Sequence, residues 1–128
     1  MDKLNLGKKL ANYKANKPRL MRLIANNAVN FFKVTNFEAE GFVDNGVKKW
    51  KPRKDKDTGR RLLVKTGRGR QSIHTQLISA EKVVIVADAP YMKYHNDGTK
   101  KLPQRKFMGN SRTLDRQNIK IVESFIKL

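Results

Sequence analysis

A chain of 128 residues has room for one domain with a single modest core. Its apolar content of 38% exceeds that of a disordered chain, and the absence of cysteine excludes disulfides and thiolate metal sites. Twenty-nine basic residues against eleven acidic ones give a formal net charge of +18 and a pI near 10.5, so the chain repels itself and attracts polyanions: nucleic acid, an acidic protein surface or anionic lipid.

The opening stretch, "MDKLNLGKKLANYKANK", lacks the unbroken apolar run of a signal peptide, and no segment approaches membrane-spanning length. A soluble, intracellular chain with no membrane partner is expected. Leu4, Leu6, Leu10 and Tyr13 fit either a basic amphipathic helix or an arm that orders on assembly. From Pro18 to Val34, Leu20, Leu23, Ile24, Ala28, Phe31 and Phe32 follow three-and-four spacing, which predicts a helix with Pro18 in its first turn.

Between Gly41 and Gly69 the composition turns basic, with turn formers at Asn45-Gly46, Pro52 and Thr58-Gly59. Only Trp50 and the "LLV" at 62–64 read as buried, so residues 44–70 are expected to form a long basic loop, mobile until a partner docks. The period then becomes two. Ile73, Thr75 and Leu77 alternate with polar neighbours and "KVVIVA" at 82–87 is β-branched, which predicts an antiparallel hairpin over 72–87.

Asp88 can cap a short helix opening at Ala89-Pro90, with Gly98 ending it in a left-handed conformation and Tyr91, Tyr94 and His95 on neighbouring ridges. Leu114, Ile121, Val122, Phe125 and Leu128 predict a terminal helix capped by Ser111 or Thr113. The fold class is therefore α+β: one domain over 1–128, an antiparallel sheet, a long N-terminal helix, a short helix after the hairpin and a C-terminal helix.

Catalytic and cofactor chemistry find little support. His74 and His95 with scattered carboxylates do not give a zinc spacing, and a His-Asn-His nuclease would need more histidines. Ser72 and His74 share a strand face without an evident acidic orienter. "TGRGR" at 66–70 matches neither a P-loop nor a dinucleotide fingerprint. No cofactor, no metal and no enzymatic activity are expected, and His95 reads as a hydrogen-bonded imidazole pinning a helix end to the next loop.

In order, the chain shows Trp50 and Pro52 in "WKP", "LLVKTGRGRQSI" at 62–73, the strand "VVIVA", "APYMKYHNDGT" at 89–99, "LPQRKFMGNS" at 102–111 and a terminal amphipathic helix. This series resembles the phage virion morphogenesis family, the tail-completion proteins of contractile-tailed phages of the Mu and P2 kind, over about residues 18–126. Thr66, Gly67, Ser72 and Ile73 match its Thr-Gly-x-Leu-x-x-Ser-Ile stretch. Tyr91, His95 and Gly98 match its Tyr-Ala-x-x-His-Gln-x-Gly, and Pro103, Arg105, Phe107 and Gly109 match its Pro-Ala-Arg-x-Phe-Leu-Gly. Gly69 departs from the family's apolar residue, Asn96-Asp97 from its Gln and the residue after it, and Met92, Gln104 and Met108 from Ala, Ala and Leu. Remote head-to-tail connector families share part of these signals.

The resemblance implies a non-enzymatic phage or prophage subunit that assembles with itself into a ring such as a hexamer. It implies docking to tail-tube or tail-terminator proteins and to head-neck proteins, residence in the virion, and assembly in the host bacterial cytoplasm. Lys48, Lys49, Lys51, Arg53, Lys54, Lys56, Arg60 and Arg61 are the expected docking residues for acidic partners, because lysines lining a DNA passage would grip phosphates. The rival reading is a small basic nucleic-acid-binding protein with non-specific DNA contact. It accounts for the charge, but few aromatics are expected at the surface as a stacking platform.

Overall fold

The computed structural model describes residues 6–52 and 68–126. The first element is a single helix, α1 (Leu6–Asn30), with Pro18 inside it rather than in its first turn. The apolar stripe begins only at Leu20, which is buried with Ala25 and Ala28, while Leu10 and Leu23 are exposed. Before Leu20 the helix is mostly solvated, so the carbonyl that loses its partner at Pro18 can bond to water.

At Phe31–Thr35 the helix widens into a π turn, and the Asn36 N–H bonds the Phe31 carbonyl five residues back. That one-residue slip lets the adjacent Phe31 and Phe32, and then Asn36 and Phe37, all turn inward. The helical run therefore passes Val34 and continues as α2 (Asn36–Ala39), ending at Glu40 with φ 49° and ψ 48°.

The segment expected as one long loop begins with a hairpin. β1 (Gly41–Val43) pairs antiparallel with β2 (Val47–Lys49) through a turn with φ 53° at Asn45 and 140° at Gly46. Trp50 is buried as expected, and the far end of the segment forms α3 (Arg68–Gln71). Residues 53–67, with "LLV", Arg53, Lys54, Lys56, Arg60, Arg61, Thr66 and Gly67, lie outside the described residues, as does Leu128.

The 72–87 hairpin is present as β3 (Ile73–Ile78) and β4 (Val83–Ala87), antiparallel and closed at Ser79, whose N–H donates to the Lys82 carbonyl at 2.8 Å. Its alternation breaks at a bulge: Thr75 faces Ile85 and Leu77 faces Val84, with Gln76 between them unpaired. The extra residue reverses the parity, so Ile73 is buried and Leu77 is exposed. The strands thus form two separate two-stranded sheets.

α1 packs on both β3 and β4 and lies antiparallel to α5 (Arg112–Ile126). Asn27 Nδ2 donates to Gln117 Oε1 at 3.1 Å and to Asn118 Oδ1 at 3.3 Å, while Arg19 sits over the Phe125 ring. Ser111 caps α5, its Oγ accepting from the Leu114 N–H at 3.2 Å. α4 (Met92–Asp97) starts after Tyr91 without a side-chain cap, because the Asp88 carboxylate turns to His74 at 3.4 Å instead. Phe37 is edge-on to Trp50 (5.2 Å between ring centres) and tilted against Phe107 (5.9 Å), at the heart of a core shared with Phe31, Ile73, Met92 and Leu114.

Candidate functional site

The segment from Pro103 to Gly109 has no regular structure, yet three parts of the chain converge on it. The Trp50 indole donates to the Lys106 carbonyl at 2.7 Å, and the Asn36 amide donates to the Phe107 carbonyl at 2.8 Å. Arg105 is buried: its backbone N–H reaches the His95 carbonyl at 2.8 Å and its Nε reaches the Lys51 carbonyl at 3.0 Å. Asn96 Oδ1 accepts from the N–H groups of Phe107 and Met108 at 2.9 and 3.0 Å. Irregular backbone buried in this way must find partners for its polar groups, and here side chains supply them.

The candidate motif residues fall into this arrangement unevenly. Trp50, Arg105, Phe107 and Ile73 are core, while Pro52 is exposed. Ser72 bonds the Gly69 carbonyl through its hydroxyl at 2.6 Å. Gly98 adopts φ 78° with ψ 160° rather than the left-handed helical pair, and a Cβ there would lie 3.0 Å from the Gln104 N and Cβ. Lys106 lies across Gly109, where a Cβ would meet its Cε at 2.4 Å, and its ammonium sits 4.7 Å over the Phe42 ring.

His95 departs from expectation. Its backbone carbonyl makes the corner bond, whereas the ring Nδ1 is buried without a hydrogen-bond partner among the described residues. The ring stands edge-on to Tyr91 at 6.4 Å. Burial, and secondarily the Arg105 guanidinium, hold the imidazole pKa below its ordinary value. The pinning role falls to its neighbour Asn96, one of the positions where the sequence leaves the family pattern.

The Ser72–His74 pair does have an acid nearby, Asp88, contrary to expectation. The geometry is nevertheless unlike a relay. Nδ1 of His74 lies 2.8 Å from the Ser72 carbonyl, and the Ser72 hydroxyl is committed to Gly69. Among the described residues no group of three His, Asp or Glu side chains could hold a metal, and no helix is long and apolar enough to cross a membrane.

Of the expected docking residues, Lys48, Lys49 and Lys51 are described, and all three are exposed around β2. Lys49 Nζ donates to the Ala39 carbonyl at 2.6 Å, closing the end of α2. Asp44, at the tip of the hairpin, accepts from the Arg112 backbone N–H at 2.8 Å and from its guanidinium at 3.3 Å. These bonds, the backbone one first, hold its carboxyl below the usual range.

Sequence reasoning missed Asn36 and Asn96. Each is a polar residue beside an aromatic or a histidine, a weak signal, and Asn36 has its Phe107 partner 71 positions away. It also missed the exposure of Tyr91, just before α4, and of Tyr94 within it, 45% and 56%. No family model, no curated protein and no solved structure matches the chain.

Proposed function

We propose that this chain is a structural subunit of phage or prophage virion assembly, a tail-completion or head-tail joining protein that acts by self-assembly and docking. The observation that carries the reading is the convergence on one segment of residues from separate motifs of the resemblance. Trp50, His95, Gly98 and the Pro103–Gly109 stretch meet there, and their bonds run to backbone groups. Such residues serve a shape rather than a reaction.

Two departures from the family pattern support it further. Gly69 and Met92 touch: a Cβ at Gly69 would lie 2.5 Å from Met92 Sδ. A small residue where the family has a large one thus faces a large one where the family has Ala. The pair reads as one compensated exchange.

Mass measurement of the purified chain in solution, with electron micrographs of the same sample, tests the proposal. Closed rings formed without DNA are the expected result. A monomer that binds random DNA, more weakly as salt rises, would overturn it in favour of the nucleic-acid reading. That second reading draws on Tyr91 and Tyr94, which stand exposed one helical turn apart with the exposed Lys93 nearby in sequence.

A further inference from the structure

The two edges of the β1–β2 hairpin are treated differently by the rest of the fold. The Trp50 N–H bonds the Glu40 carbonyl at 2.8 Å, which makes Glu40 and Trp50 a hydrogen-bonded pair. By the alternation of antiparallel ladders, Phe42 and Lys48 form the next such pair, and the backbone groups of Val43, Val47 and Lys49 point away from the hairpin. On the β1 side that outward edge is sealed: the Val43 N–H bonds Asn36 Oδ1 at 3.0 Å and its carbonyl accepts from Ser111 Oγ at 2.6 Å. On the β2 side, among the described residues, nothing bonds the outward groups of Val47 and Lys49, and both residues are exposed.

A groove of about 640 Å³ runs along β2, with Phe42, Lys48, Trp50, Gln104 and Lys106 in its walls. Lys48 is the cross-strand partner of Phe42, over which the Lys106 ammonium also lies, so two cations share one side of the strand. The carboxylate of the groove, Asp44, is already matched by Arg112. The groove therefore offers excess positive charge beside an open strand edge.

We infer that β2 accepts an extended, acidic segment of a partner protein as an added strand. The inference rests on reading the chain as a docking subunit, and it names the chemistry that such docking would use. A peptide strand supplies both a donor and an acceptor at β spacing, so it satisfies the N–H and the carbonyl of Val47 and Lys49 together. A phosphodiester has no donor to give those carbonyls and would set its oxygens against them. Acidic side chains alternating along the added strand would meet Lys48 and Lys106, which sets partner choice and register.

The test uses the full chain, isotope-labelled, with a blocked Asp-Val-Asp-Val-Asp-Val peptide and the same peptide N-methylated at alternate residues. The unmodified peptide should slow amide exchange at Val47 and Lys49, which face outward, and leave Lys48, already paired with Phe42, unchanged. Lys48→Glu, at an exposed position, and the double variant with Lys106→Glu should weaken binding by about tenfold or more. No binding, equal binding of the N-methylated peptide, or binding without protection at Val47 and Lys49 would overturn the inference. So would a thymidine oligonucleotide that protects those two amides in place of the peptide. Rings in solution together with any of these failures would overturn this inference while leaving the assembly reading intact.

Discussion

Gly69 and Met92 put the proposed kinship within reach of a stability measurement. Gly69→Leu alone forces a side chain into Met92 Sδ and should cost about 1–3 kcal/mol by overpacking. Met92→Ala alone empties a fully buried site and should cost about 2–5 kcal/mol. Together they restore the family's large-small order, so the double variant should lose clearly less than the sum when urea midpoints are compared. Strict additivity would remove this support for the resemblance. His95 offers a second test at the same scale. Its pKa is lowered by folding, so above about pH 6.5 both states hold it neutral and it contributes no pH dependence. As the pH falls below that, the unfolded chain takes up the proton before the folded one, and stability declines until the folded pKa is passed. Thermal unfolding from about pH 7.5 to about pH 5 should show this decline, and His95→Gln should flatten it. An unchanged slope in the variant would assign the decline to other groups. The stabilising bond at Asp44 is lost only lower, as the pH falls through the carboxylate range.

Among the elements, α1 carries a proline whose cost should be local. Pro18 removes one helical hydrogen bond, a penalty of about 3 kcal/mol in a packed helix interior. Yet Asn27 meets Gln117 and Arg19 meets Phe125, so the turns before Pro18 run past the last described turn of α5. Pro18→Ala should therefore slow amide exchange in residues 14–22 while shifting global stability by less than about 1 kcal/mol. A global gain of the full amount would show that the first turns belong to the core. The helix and the β3–β4 hairpin were legible in the sequence because each writes its own period locally, at Leu20 to Phe32 and at Ile73 to Ala87. β1–β2 was not, because β2 is three exposed residues, "VKK", with no apolar alternation. Asn45-Gly46 was a hairpin signal, but without flanking apolar strands it reads as any turn. The knot around Pro103–Gly109 was illegible for another reason. Asn36 and Phe107 are 71 positions apart, and nothing local says that their polar groups meet.

For the whole molecule, the charge decides what can be asked. Six copies in a ring would multiply a net +18 that needs compensation from a partner or from DNA. On the proposed tail-completion reading, reversing Lys51, Arg53, Lys54 and Lys56 to Glu should block tail attachment in a complementation assay while leaving the far-ultraviolet circular dichroism unchanged. Normal infectious particles from that variant would move the docking face elsewhere.

The buried strap also has a consequence for how the chain comes off the ribosome. The Trp50 indole, the Asn36 side-chain amide nitrogen and the Val43 carbonyl find their partners at Lys106, Phe107 and Ser111, so the first half of the protein cannot close its core until the last quarter has been made. Sequence separations of this size slow folding. They also mean that a chain cut short before residue 105 exposes Phe37 and Trp50 and leaves their neighbouring polar groups unpaired. Such a fragment should be a substrate for chaperones and proteases. In the proposed assembly of identical copies, incomplete products would thereby be kept from poisoning the whole.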